Sequence, residues 1–330
     1  MSADEGIGHV IAEVLPIIDQ GLAVDDMEIS QRPFWASFRF AQHFIQRVRA
    51  GGKEWEPDFD SLQFASEPWF KELHRSVSAW YRARYPGAFD RSPRTARGVV
   101  LIWGTPFLIE VPLLVTSPGT PGKTVWLSFP DSVRDDEDAM NWVSSSPDLS
   151  QIEPEEQTQI RALVSEVASS LRRISVAVMG IGQSDAVVSG FAQGIMVHLQ
   201  SAADRVIQHG RRGGTSRGYW EIQMACESAF KALSQHVTGE YTETHDLFYL
   251  YDRLPEPPAG LQRDLLRQVP RWQDVADLRY GQRADPQIAD FFQCYRSALV
   301  IVAALVDPIA SLRFGKASFE IARAPWLSDH

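Results

Sequence analysis

The sequence predicts an α+β protein, with N-terminal helices and a small antiparallel β-meander followed by an all-α helical bundle. Three observations predict it. Apolar residues recur at helical spacing through the first 85 positions. Between residues 98 and 129 they give way to short runs rich in Val, Ile, Leu and Trp, separated by turn residues. From residue 155 the helical period returns almost to the end. A polar stretch over 131–154, with Asp135-Asp136-Glu137-Asp138 and Ser144-Ser145-Ser146-Pro147, separates the regimes and sets the expected domains at 1–150 and 151–330.

Ile11, Val14, Leu15 and Ile18 place a first helix over 7–22. A second spans 35–49, with Gly51-Gly52 as its stop, and a third spans 66–85, capped by Ser66 and ended by Pro86-Gly87. On that third helix Trp69, Phe70, Leu73, Val77, Trp80 and Tyr81 fall along one face. Strands are expected at 98–104, 107–116 and 124–129, the last two joined by the Ser117-Pro118-Gly119-Thr120-Pro121-Gly122 turn. Helices follow over 155–174, 183–209 and 216–237, the last ended by Gly239. Gly190 and Gly194, four apart, are expected to permit close helix packing. Shorter helices start at Thr244, at Leu261 and at Trp272, and a final one runs from Pro286 to Val306.

The chain has 330 residues, 44% apolar and 22% charged, with ten Trp and 17 Phe, enough to build real cores. A net charge of -10 gives no overall attraction to nucleic acid, so any such site must be a local basic patch. Two cysteines, Cys226 and Cys294, cannot form a disulfide framework or a zinc ribbon and read as buried thiols. No basic n-region opens the chain, and the apolar run 298–306 is too short for a bilayer, so the expectation is a cytoplasmic protein with no membrane partner. The four acids at 135–138 read as a solvated face or helix start rather than a metal site. Gly-rich phosphate loops, His-Glu-x-x-His and Gly-x-Ser-x-Gly are missing from the sequence, and neither metal nor cofactor is expected.

The most informative stretch is 218–233, Gly-Tyr-Trp-Glu-Ile-Gln-Met-Ala-Cys-Glu-Ser-Ala-Phe-Lys-Ala-Leu. Glu227 and Lys231 stand four apart and can pair, while Ala225, Ala229 and Ala232 let a neighbouring helix approach. Thr244-His245-Asp246-Leu247 and Leu250 follow, then Arg279-Tyr280 ahead of the last amphipathic helix. In order and spacing these pieces, over about 184–306, resemble the HEPN family, whose pattern is A-x-E-x-x-x-K-A-L, T-H-D-L, then R-Y. The resemblance implies a bundle of four or five helices that dimerises and contacts RNA, a nucleotide or a protein partner, in settings that include bacterial defence and toxin systems. Catalytic members carry Arg, four to six residues, then His, in a metal-independent ribonuclease site. That spacing does not occur in the bundle: Arg205 and His209 stand too close, and Lys231 to His236 has the spacing without the Arg. Arg323 and His330 match it only in the tail, across Pro325.

Two functions therefore stand open, a HEPN-like binding protein and a divergent endoribonuclease, with a structural subunit bearing exposed Trp126 or Trp142 as a third. The segment 205–217 holds Arg205, Arg211, Arg212 and Arg217 with no acid after Arg205, a candidate RNA or anion site beside the supple Gly210, Gly213 and Gly214. His209, His236, Lys231 and His245 are the candidate catalytic groups. Arg263, Arg267 and Arg271 form a second basic stripe, followed by Arg279 and Arg283 and partly neutralised by Asp264, Asp274 and Asp277, which reads as a salt-bridged surface face.

Overall fold

A computed structural model describes residues 3–50, 53–59, 62–86, 88, 95–121, 124–182, 185–209, 214–312 and 314–322. With 59% helix, 12% strand and only small antiparallel sheets, the class is α+β. The chain forms two compact units. One comprises Met1–Ser92 with Pro118–Val125 and Ile321–His330; the other comprises Pro93–Ser117 and Trp126–Glu320.

The first unit is built on α1 (Ala3–Val24), α2 (Arg32–Phe44) and α3 (Pro68–Arg84). Ile11, Leu15 and Leu22 meet Phe40 and Ala41 and the stripe Phe70, Leu73, Val77 and Tyr81, which is the helical period read from the sequence. The second helix ends at Phe44, five residues early. Val48–Ala50 (β1) instead pairs antiparallel with Lys53–Trp55 (β2), Arg49 opposite Glu54. Gly51 and Gly52, expected as a helix stop, lie outside the described residues, as does Gly87.

The second unit opens with β3 (Thr95–Ile102) and β4 (Thr105–Pro112), an antiparallel hairpin in register from Thr95↔Pro112 to Ile102↔Thr105. Its two-residue turn puts Trp103 at φ 49° and Gly104 at φ 72°, the left-handed pair that matches strand twist. Then come β5 (Val115–Pro118) and β6 (Thr124–Ser128), followed by α4 (Pro154–Met179), α5 (Ala186–His209), α6 (Gly214–Thr238), α7 (Leu247–Asp252), α8 (Trp272–Arg279) and α9 (Ile288–Val306). A last strand, β7 (Ser318–Ala322), completes a three-stranded sheet of order β5-β6-β7.

Two expectations are corrected here. No three-stranded meander forms, because the chain breaks at Leu113 and Leu114, and β6 joins β5 and the C-terminal β7 rather than β4. The break between compact units falls at Ser92, not near residue 150, so the helical unit is not all-α. The hairpin's Val99, Val100, Ile102, Ile109 and Val111 are buried in one core with Leu171, Leu199 and Tyr295 of the helices. Gly98 makes this approach possible: a Cβ there would stand 2.5 Å from Leu171 Cδ1.

Within the bundle α5 and α6 lie against each other, with Ala202, Ala203, Ala225, Ala229 and Ala232 all buried. Gly190 is not part of this contact, since a Cβ there would meet nothing, and one at Gly194 would meet only Ser228 Oγ at 3.7 Å. Gly218 does the work expected of them, lying against the ring of Phe291 on α9. By length and composition α9 is apolar enough to cross a membrane, yet Phe291, Tyr295, Leu299, Val302 and Val306 are all buried in the core.

The acidic run 135–138 is a set of separate structural pairs. Asp136 binds Arg134, and Asp138 caps the 3-10 turn Ala139–Trp142 and binds Arg161. Glu137 receives both arms of the fully buried Arg172, which also donates to the carbonyls of Pro112 and Ser132 and lies 4.5 Å from the Trp142 ring. Trp142, expected as an exposed docking residue, is half-buried against the core, while Trp126 is 39% exposed. Among the described residues no group of His, Cys, Asp and Glu is disposed to hold a metal ion.

Candidate functional site

Helix α6 carries most of the site. Its spacing of four sets Gln223, Glu227 and Lys231 in one stripe, and Arg217 and Glu221 in another. Glu227 is buried and accepts from Lys231 Nζ at 2.7 Å through Oε1. Its Oε2 stands 2.8 Å from His245 Nδ1. A carboxylate only accepts, so Nδ1 carries the proton and Nε2 is left as the free ring nitrogen. Gln223, fully buried, donates from Nε2 to the His245 carbonyl at 2.8 Å and so fixes the same loop. The following helix begins at Leu247, not at Thr244, because Asp246 is its cap and accepts from the Phe248 and Tyr249 amides.

An aromatic stack runs from this triad. The His245 ring lies on Trp272 at 3.8 Å and 16°, Trp272 meets Trp220 at 5.0 Å, and the Arg279 guanidinium sits 3.7 Å over Trp220. Beyond it is a pocket of about 340 Å³ lined by Arg205, Arg217, Trp220, Glu221 and Arg279. None of these three arginines forms an ion pair among the described residues. The N-terminus of α6 adjoins them, with Gly214 packed on the Arg205 carbonyl. Glu221, the one acid in the lining, is engaged by His198 Nδ1 at 2.8 Å. On the His245 side of the stack a larger cavity, about 1050 Å³, is bounded by Gln223, residues 243–248, Arg263, Leu266, Arg267 and residues 269–274.

The candidates named from the sequence thus divide into separate places. Arg205 and Arg217 share a pocket, while Arg211 and Arg212 lie outside the described residues, as do Arg323 and His330. Lys231 and His245 share one carboxylate. His209 ends α5 beside Gly214, and His236 lies in the last turn of α6. Some 22 residues of helix between them span roughly 33 Å, so these two imidazoles cannot serve one phosphodiester within a chain. Lys231 and His236 do not form a pair either: Lys231 is held by Glu227, whereas His236 is exposed.

The second basic stripe is only partly salt-bridged. Arg263 pairs with Asp252, Arg267 with Asp264 and Arg283 with Asp274 and Asp277, but Arg271 and Arg279 are in no ion pair among the described residues. Sequence reasoning missed His198, Trp220, Glu221, Gln223 and Trp272. The spacings 198–205 and 217–221 were readable as shared helix faces, but which helix each face meets was not.

Burial pushes the Cys226 thiol up to about 12, and burial together with its neighbour Cys226 raises Cys294 further above its ordinary range, so neither supplies a nucleophile. Compared with known protein families, curated proteins and solved structures, the chain matches none.

Proposed function

We propose that this chain is a HEPN-like binding protein that acts as a homodimer and holds RNA or a nucleotide at the Arg205, Arg217, Arg279 pocket. The observation that carries it is the convergence, on a chain of net charge -10, of three guanidiniums that have no ion-pair partner among the described residues, beside the face of a tryptophan. Several other arginines, among them Arg263, Arg283 and Arg296, are by contrast neutralised by neighbouring acids. Guanidiniums bind phosphate through paired N–H donors, and an indole offers a stacking surface that tolerates any base. A role in bacterial defence, with a protein partner, belongs to the same proposal.

The test is a titration of labelled single-stranded RNA of about 16 nucleotides, long enough to fill one such groove. Arg205→Ala/Arg217→Ala is expected to weaken binding at least tenfold without changing the melting temperature. Unchanged affinity overturns the assignment. A solution mass of twice the chain supports the dimer, and a monomer at all concentrations contradicts it.

A metal-independent endoribonuclease is the second reading, favoured by the buried Glu227 that orients His245 and frees its Nε2 as acid or base. Metal-free cleavage lost in His245→Ala but kept in His209→Ala and His236→Ala would support it. No cleavage by folded protein that binds RNA would exclude it.

A further inference from the structure

The larger cavity differs in chemistry from the arginine pocket. Its charged lining is balanced, with Arg263, Arg267 and Arg271 against Glu243, Asp246 and Asp274. Most of these are already engaged: Arg263 with Asp252, Arg267 with Asp264, Asp274 with Arg283, and Asp246 as the cap of α7. A polyanion is therefore poorly suited to it. At about 1050 Å³ it lies at the top of the range of roughly 300–1000 Å³ usual for small-molecule sites, with room for several amino-acid residues. Leu247, Phe248, Leu266, Val269 and Trp272 supply an apolar wall.

Besides the exposed Glu243 carboxylate, two polar features in it are unused. At the N-terminus of α8, whose first turn carries Asp274, the cap residue Arg271 makes no side-chain cap, the first amides have no acceptor among the described residues, and the Arg271 guanidinium has no carboxylate among them. Independently, Gln223 is 0% exposed and lines the cavity, and its Oε1 has no hydrogen-bond partner among the described residues, while its Nε2 is committed to the His245 carbonyl. A buried acceptor left unmet calls for a donor. The cavity thus presents a cationic helix end for a carboxylate, an apolar wall for a side chain and an acceptor for an N–H.

We propose that this cavity is a docking site for the free C-terminus of a peptide or protein partner. The terminal carboxylate meets Arg271 and the α8 amides, the last apolar side chain packs on Phe248, Leu266 and Trp272, and a backbone N–H donates to Gln223 Oε1. The assignment stands independently of the RNA site.

The test uses full-length protein and two pools of N-terminally fluorescein-labelled octapeptides with randomised last three residues, one with free carboxylates and one C-terminally amidated. Anisotropy should show the free-acid pool binding at least tenfold more tightly, and mass spectrometry of the bound fraction should show apolar final residues enriched. Arg271→Ala, an exposed change that keeps the fold, should lose this preference. Arg205→Ala/Arg217→Ala should retain it, which separates failure here from failure of the RNA proposal. Equal binding of the two pools, no binding of either by folded protein, or an unaffected Arg271→Ala would each overturn the inference.

Discussion

Replacing Glu137 by alanine tests how the larger unit is held together. Arg172 has no exposed surface, and Glu137 is its only counter-charge among the described residues, through both carboxylate oxygens. Removing one partner of a buried pair costs about 3–5 kcal/mol, because the other charge stays desolvated. Here Arg172 keeps the carbonyls of Pro112 and Ser132 and the face of Trp142, so the low end, about 3 kcal/mol, is expected. For a unit of this size that lowers Tm by roughly 6–12 °C. The double variant Arg172→Met/Glu137→Met should recover most of the loss, since an apolar pair carries no stranded charge. The effect has a pH signature. Desolvation raises the Glu137 pKa, but the Arg172 hydrogen bonds, the Arg134 amide and the Arg172 charge outweigh it and hold the carboxyl below its ordinary value. A depressed carboxylate contributes stability above its unfolded pKa and loses it as pH falls through the folded one. The gap between wild type and Glu137→Ala should therefore narrow on acidification below the ordinary carboxylate range. Thermal unfolding followed by circular dichroism measures both. A Glu137→Ala melting point within 2 °C of wild type at neutral pH would refute the argument.

Gly98→Ala places a methyl 2.5 Å from Leu171 and should destabilise the larger unit by about 1–3 kcal/mol, read as a lowered Tm. An unchanged Tm would mean the hairpin does not pack on α4 this closely. Cys226 and Cys294 should resist a thiol reagent in native protein and both react in denaturant. Stoichiometric labelling of the native protein would contradict their burial.

Local patterning carried much of this fold into view. Helix faces such as Phe70, Leu73, Val77 and Tyr81, the Gly239 stop and the Glu227–Lys231 pair follow from periodicity alone. What stayed hidden depends on distant partners. The residues of β7 lie some 190 positions after β6, and nothing in either strand names the other. Arg172 reads as one more charged residue on an amphipathic helix until the chain from Ser132 to Glu137 closes over it. The site divides the same way. Arg205 and Arg217 were legible as a local excess of charge, but Arg279 and Trp272 reach the same stack from a helix some 60 residues further on. His209, His236 and Lys231 looked like neighbours in sequence, and the length of α6 keeps the two histidines apart.

The most direct test of the central claim is the salt dependence of RNA binding. Each phosphate neutralised on a single strand contributes about -0.7 to the slope of log K against log salt, so three arginines predict a slope of about -2. Arg217→Ala should bring it to roughly -1.4, with weaker affinity at every salt concentration. A slope near zero in wild type, or one unchanged by Arg217→Ala, would contradict a phosphate site at this pocket.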